Sequence, residues 1–295
     1  MDSSFQEKPL ELTGKDGHEL FARTWQAGES VTAEIGIVHG MGEHSGRYAD
    51  VANYLCRAGY RVSAYDQRGH GRTAGRRGDV SSYDLLLDDL DEFVSRLRAH
   101  MVDSKLFLYG HSFGGNVVLN YALRRKPALS GLVITSPLLR PTKTPPLWKR
   151  LFAHTCYRIC PAFRLPMGID SRGLSHDRKV VQAYKTDMLN HSVISARLAV
   201  ETLDAGEWAL VHARELELPL LLMHGSFDAI TSSAASREFA ENVESSCLFK
   251  LWPGLFHELH NEPERLEVLE MIAGWLQTFT MTPESFGVKD SKEEE

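Results

Sequence analysis

The sequence predicts an α/β fold: a mostly parallel central sheet with helices on both faces and an inserted helical lid, or cap. Three observations point there. Short apolar runs read as strands buried on both faces, as a parallel sheet requires. Segments of helical period lie between them. The alternation breaks once, over 140–191, where Pro141, Pro145, Pro146, Pro161 and Pro166 interrupt the chain.

Each element can be justified in order. Residues 10–13 and 18–25 flank Lys15-Asp16-Gly17, an Asp-Gly turn between extended runs, which predicts a hairpin. A strand over 35–38 precedes a helix over 48–58 and a strand over 61–65. In 83–97, Leu86, Leu90, Phe93, Val94 and Leu97 share one face of a 3.6-residue period, leaving Asp84, Asp88, Asp91 and Glu92 for solvent. Strands are expected next at 105–109 and 131–135, with a helix over 116–124 between them. Two more strands are expected at 218–223 and 248–251. Leu266, Leu269, Ile272, Leu276 and Phe279 give a final helix, with Pro263 expected in its first turn.

Inside the break, Leu147, Trp148, Leu151, Phe152, Cys156 and Ile159 form an apolar stripe opposite Lys149, Arg150, His154 and Arg158. This amphipathic helix over 147–159 reads in two ways: docked on the sheet domain, or a lid over an active site. As a lid its apolar side meets lipid, and its basic side favours an anionic surface. The expected division is a core over 1–139, a cap over 140–191, the rest of the core over 192–282 and a disordered tail over 283–295.

Composition excludes other classes. The 295 residues are 43% hydrophobic and 24% charged, ordinary for a folded domain. With 33 Lys+Arg against 39 Asp+Glu, the formal charge is −6, which offers no broad basic face for nucleic acid. No apolar run approaches a membrane span. The first twenty residues carry seven charges and no apolar signal region, so a cytoplasmic location is expected, with peripheral membrane contact through the 147–159 helix. Four cysteines do not make a disulfide framework. Cys56, Cys156, Cys160 and Cys247 read as reduced, mostly buried thiols, and Cys156-x3-Cys160 lacks the second ligand pair that a metal site needs.

Gly110-His111-Ser112-Phe113-Gly114-Gly115 is a G-x-S-x-G turn between a strand and a helix. Such a turn strains the backbone at the serine and lifts its hydroxyl clear of the sheet, above a helix N-terminus that favours negative charge. A serine that merely caps the helix would look similar in sequence. A hydroxyl nucleophile needs a base, and the base needs an orienting acid. His224-Gly225-Ser226-Phe227-Asp228 comes after one later strand and Gly254-Leu255-Phe256-His257-Glu258-Leu259-His260 after the next. Ser112, Asp228 and His257 therefore form the candidate triad, in the order nucleophile, acid, base; His260 competes as the base. The backbone N–H groups of Phe113 and of Met41, in His39-Gly40-Met41-Gly42, are the candidate oxyanion donors.

Several segments together resemble the monoacylglycerol lipase family of α/β-hydrolases, also described as lysophospholipases or serine aminopeptidase-like hydrolases. His39 to Tyr48 resembles its HG-x-GEHSGRY segment and Asp66 to Gly71 its D-x-RGHG loop. Gly110 to Gly115 resembles its GHSMGG elbow, with Phe113 in place of Met. His224 to Asp228 resembles its HG-x-x-D loop and His257 to Glu262 its H-x-x-x-x-E segment. The resemblance implies an α/β-hydrolase fold and hydrolysis of a monoacylglycerol ester to glycerol and fatty acid through an acyl-enzyme. It implies no organic cofactor and no metal. It also suggests Arg47, His111 and Tyr184 for the polar end of the substrate, although Arg47 and His111 would equally serve to brace the two active-site loops. A lysophospholipase or a general carboxylesterase would use the same triad; a non-catalytic lipid- or protein-binding scaffold is the reading that an intact triad argues against.

Overall fold

A computed structural model describes residues 5–99 and 105–280. The chain opens with the hairpin β1 (Gln6–Thr13) and β2 (Glu19–Gln26), turning at the expected Asp-Gly. Then come β3 (Ala33–Val38), α1 (Ala49–Arg57), β4 (Tyr60–Tyr65), α2 (Tyr83–Ala99), β5 (Lys105–His111), α3 (Phe113–Arg125) and β6 (Gly131–Thr135). The inserted segment carries α4 (Leu147–Ile159), β7 (Arg164–Pro166) and α5 (Arg178–Thr186). Just beyond it, β8 (Val193–Ser195) pairs back on β7. The chain returns through α6 (Ala196–Val211), β9 (Leu220–Gly225), α7 (Ser233–Asn242), β10 (Cys247–Trp252) and α8 (Arg265–Thr280).

Eight strands form one sheet in the order β1-β2-β4-β3-β5-β6-β9-β10. From β4 to β10 every pairing is parallel; β2 joins antiparallel to β4. Every residue of β3, β6 and β9 is buried, as expected of strands covered on both faces. Even Glu34, inside β3, is buried, and it is held there by Arg61 and by the Ser63 hydroxyl at 2.7 Å. Leu86 and Leu90 of α2, Val117 of α3, Ala209 of α6 and Phe239 of α7 fill the core on one face. Leu55 of α1 and Ile272 of α8 fill it on the other.

The sheet positions the site because its strand order reverses around β3, whose neighbours β4 and β5 lie on opposite sides. In open α/β sheets ligands bind beyond the C-terminal strand ends at such a point. The loops after β3, β5, β9 and β10 all emerge there. Gly114 permits a tight join between β3 and α3. A Cβ at this position would lie 2.1 Å from the Val38 carbonyl oxygen and 2.5 Å from that of His39. Only glycine seats the start of α3 directly against the end of β3.

Several expectations need correction. The helix placed at 116–124 begins at Phe113, directly after the elbow serine. Pro263 stands two residues before α8 rather than in its first turn. β7, α5, β8, α6 and α7 went unforeseen, because short or mixed segments leave little periodic signal. The thiols are less buried than expected: Cys56 is buried, Cys156 and Cys247 are half-buried, and Cys160 is exposed. The cause for Cys156 and Cys160 is α4, which has no buried residue. It rests on α6, with Tyr157 Oη donating to Glu201 at 3.2 Å. Its apolar stripe points to solvent, leaving Trp148 65% and Ile159 79% exposed. The helix is thus not docked on the core through its apolar face. The expected tail at 283–295 lies outside the described residues.

Candidate active site

Ser112 stands between β5 and α3 with φ 54° and ψ −117°. A non-glycine residue in such a region costs about 1–3 kcal/mol, so the surroundings must impose it. They do: its N–H donates to the Thr135 carbonyl at 2.9 Å, and its carbonyl accepts from Asn116 N at 3.0 Å and Leu138 N at 2.9 Å. The side chain makes no capping bond to α3, which removes the simple helix-cap reading.

Asp228 lies in the loop after β9, almost fully buried. Oδ1 accepts from the N–H groups of Ile230 at 2.7 Å and Thr231 at 3.0 Å. Oδ2 accepts from the Thr231 hydroxyl at 2.8 Å and faces His257 Nδ1 at 2.7 Å. Burial alone would raise this carboxyl. The charge of His257 and the bonds from His224 and His257 outweigh it and hold Asp228 well below the usual carboxylate range.

His257 lies in the loop after β10, and its carbonyl accepts from the Ser136 hydroxyl at 2.8 Å. Burial pulls its imidazole down, but the charge and hydrogen bond of Asp228, with Glu258 and Glu43 further off, carry it above its ordinary 6.5. His260 differs in kind. Its Nδ1 lies 3.3 Å from the Tyr109 hydroxyl, its Nε2 is buried without a partner among the described residues, and burial holds it down at about 4. The acid thus serves His257.

This sets a pH dependence. A general base works only when neutral. On a simple ester, kcat/KM is expected to fall about tenfold per pH unit below the His257 pKa and to level off above it. The midpoint should lie above 6.5, because the folded protein favours the protonated ring. An initial-rate profile with an acid limb centred near pH 5 would contradict this assignment.

The two candidate oxyanion donors lie at the start of a helix and in a loop. Phe113 opens α3, where the first N–H groups lack partners inside the helix. Met41 comes after Gly40, whose N–H donates to Glu43 Oε1 at 2.6 Å. A Cβ at Gly40 would meet Glu43 Oε1 at 2.8 Å and Ser112 Cβ at 3.3 Å, so the glycine lets this loop approach Ser112.

The residues suggested for the polar end are placed unequally. His111 is fully buried, with Nδ1 3.0 Å from Thr135 Oγ1 and its ring 4.8 Å from that of His257. Burial keeps it far below the ordinary histidine value, hence neutral. The Arg47 guanidinium lies 4.9 Å over the ring of Tyr184, which α5 of the inserted segment supplies. Both its terminal nitrogens are held at 2.7 Å by the two oxygens of Glu258, and Nη1 also reaches Glu43. Glu43 Oε1 further accepts from the Tyr48 hydroxyl at 2.7 Å. Sequence reading missed Glu43 and Glu258, although each lies within a segment already singled out. Among the described residues, no group of three or more His, Cys, Asp or Glu is placed to hold a metal ion.

The sheet order and the serine, aspartate and histidine at three strand ends define an α/β-hydrolase. The chain belongs to the serine aminopeptidase S33 family, whose model matches residues 29–264. It is 36% identical to an uncharacterized abhydrolase domain-containing protein of Dictyostelium discoideum over 90% of this chain, which spans only 28% of that relative. It is 32% identical to a monoacylglycerol lipase of Mycolicibacterium smegmatis, over 90% of this chain and 95% of that one. It is 30% identical to a phospholipase of Bacillus subtilis, over 84% and 95%. The crystal structure of a Paleococcus ferrophilus monoacylglycerol lipase superposes with a TM-score of 0.79 at 30% identity, covering 94% of this chain and 99% of that one.

Proposed function

We propose that this protein is a serine ester hydrolase that cleaves monoacylglycerols to glycerol and fatty acid. The observation that carries the chemistry is the buried Asp228–His257 pair at 2.7 Å, whose imidazole lies 4.8 Å from the ring of His111, the residue before the strained elbow serine. Asp228 binds Nδ1, so Nε2 is the nitrogen that takes the Ser112 proton as Oγ attacks the ester carbon. The oxyanion rests on the N–H groups of Met41 and Phe113. The ester C–O bond breaks, His257 returns the proton to the departing glycerol oxygen, and an acyl-Ser112 remains. Water then gives a proton to His257 and attacks the acyl carbon; the proton returns to Ser112 as the fatty acid leaves.

Ester cleavage is favoured over aminopeptidase chemistry by the state of the nearby acids. An aminopeptidase needs a carboxylate free for the substrate amine, whereas Glu43 and Glu258 are both engaged by Arg47. The outward stripe of α4, flanked by Lys149, Arg150 and Arg158, suits a peripheral seat on an anionic lipid surface. No helix among the described residues is long and apolar enough to cross a membrane.

The deciding experiment measures kcat/KM on 1-oleoylglycerol, lysophosphatidylcholine and a chain-length series of p-nitrophenyl esters, with fluorophosphonate labelling of wild type and Ser112→Ala. Wild-type labelling lost in Ser112→Ala, with 1-oleoylglycerol as the best lipid substrate, is the expected result. Preference for lysophosphatidylcholine would overturn the substrate, and absence of labelling would overturn the enzyme.

A further inference from the structure

Arg47 occupies an unusual position. Glu43, two residues past Met41, reaches it from the oxyanion loop; Glu258, next to His257, reaches it from the base loop; Tyr184 covers it from the cap. Glu43 Oε1 and Ser112 Cβ lie 2.8 and 3.3 Å from the point where a Cβ on Gly40 would stand, so the cluster borders Ser112, on the side that the family resemblance assigns to the departing alcohol. An arginine fork there would ordinarily recognise a phosphate, because its paired N–H groups match the oxygens and its charge is permanent. Here the fork is already filled. Glu258 takes Nη1 and Nη2 in a bidentate pair at 2.7 Å each, and Asn261 Nδ2 holds the same carboxylate at 2.8 Å. Glu43 takes Nη1 as well and is itself anchored by Gly40 N and the Tyr48 hydroxyl. Burial works against the charge on Glu258, but Arg47 holds its carboxyl well below the ordinary value, so it is ionised. Two carboxylates face one guanidinium, and the cluster is net negative.

We propose that Glu258 is a specificity-determining residue: by filling the Arg47 fork it makes the polar end of the site refuse phosphate-bearing heads and accept neutral polyol heads. The inference deepens the monoacylglycerol reading and rests on it. It also bears on a real division, since relatives of similar identity include both a monoacylglycerol lipase and a phospholipase.

The test compares kcat/KM on three oleoyl esters in neutral mixed micelles: 1-oleoylglycerol, 1-oleoyl-lysophosphatidate and the 1-oleoyl ester of diglycerol, a neutral head of similar bulk. Wild type is expected to favour both neutral esters over the phosphate by about a hundredfold or more. Glu258→Gln removes one charge and frees part of the fork, so the ratio should narrow by at least about tenfold. Glu258→Asp keeps the charge and should keep the wild-type preference. Each readout is a ratio within one protein, so a general loss of activity cancels. Equal wild-type use of lysophosphatidate and 1-oleoylglycerol overturns the proposal. So does refusal of the diglycerol ester, which would mean that size excludes the head, or a Glu258→Gln ratio equal to wild type. The wild-type comparison decides even if Glu258→Gln does not fold. Failure of wild type on 1-oleoylglycerol with activity on another ester sinks the substrate reading instead.

Discussion

His257→Ala is expected to lower kcat on 1-oleoylglycerol by on the order of 10⁶, while His260→Ala stays within about 10²-fold of wild type. The two histidines stand three residues apart and are both buried, so sequence alone left them in competition. The structure separates them by partner. His257 has the Asp228 carboxylate at 2.7 Å, which would stabilise the imidazolium that the proposed mechanism forms. His260 has a tyrosine hydroxyl at 3.3 Å, and its ring stacks on Tyr48 with centroids 5.0 Å apart. Losing it opens a cavity behind the site and shifts the base loop, which affects positioning rather than proton transfer. Steady-state kinetics of both variants decides the matter, with circular dichroism to verify folding. The opposite ranking would reassign the base.

Asp228→Asn is expected to cost about 10⁴ in kcat with the fold retained. Asp228 acts purely as an acceptor. Ile230 N, Thr231 N and the Thr231 hydroxyl all donate to it, and His224 Nε2 lies 3.1 Å from Oδ2, besides His257. An asparagine must turn its NH2 either toward the two backbone donors or toward His257 Nδ1. In the second orientation it stabilises the wrong tautomer, placing the proton on Nε2, where the Ser112 proton should go. The variant should therefore acylate slowly at every pH, and raising the pH should not rescue it. Burst kinetics with a p-nitrophenyl ester reads the acylation step directly. A variant within tenfold of wild type would remove Asp228 from the mechanism.

Much of this site was legible because its signals are local. Ser112 sits in a six-residue turn whose glycines imply close backbone approach, and the structure shows the positive φ such an elbow demands. Asp228 and His257 each stand in the loop after a late apolar strand, which is where this fold needs its acid and its base. Glu43 and Glu258 escaped the same logic because a glutamate in a polar loop carries no periodic or glycine signature. The α4 stripe was legible as a stripe but not as to direction, since amphipathicity gives a face and says nothing of what it meets.

The sequence by itself determined the core strands, the helices α1, α2, α3 and α8 between and after them, the break in the alternation and the order Ser112, Asp228, His257. Those rest on hydrophobic period and turn chemistry, which act over a few residues. Only the tertiary structure decided that Glu258 would close on Arg47 from 211 positions away, that the acid would choose His257 over His260, and that the apolar face of α4 would look outward. Each of those depends on which buried charge or bare face finds a partner once the sheet has brought distant loops together. That pairing is a property of the packed whole, where an unpartnered charge is costly and a matched one is held.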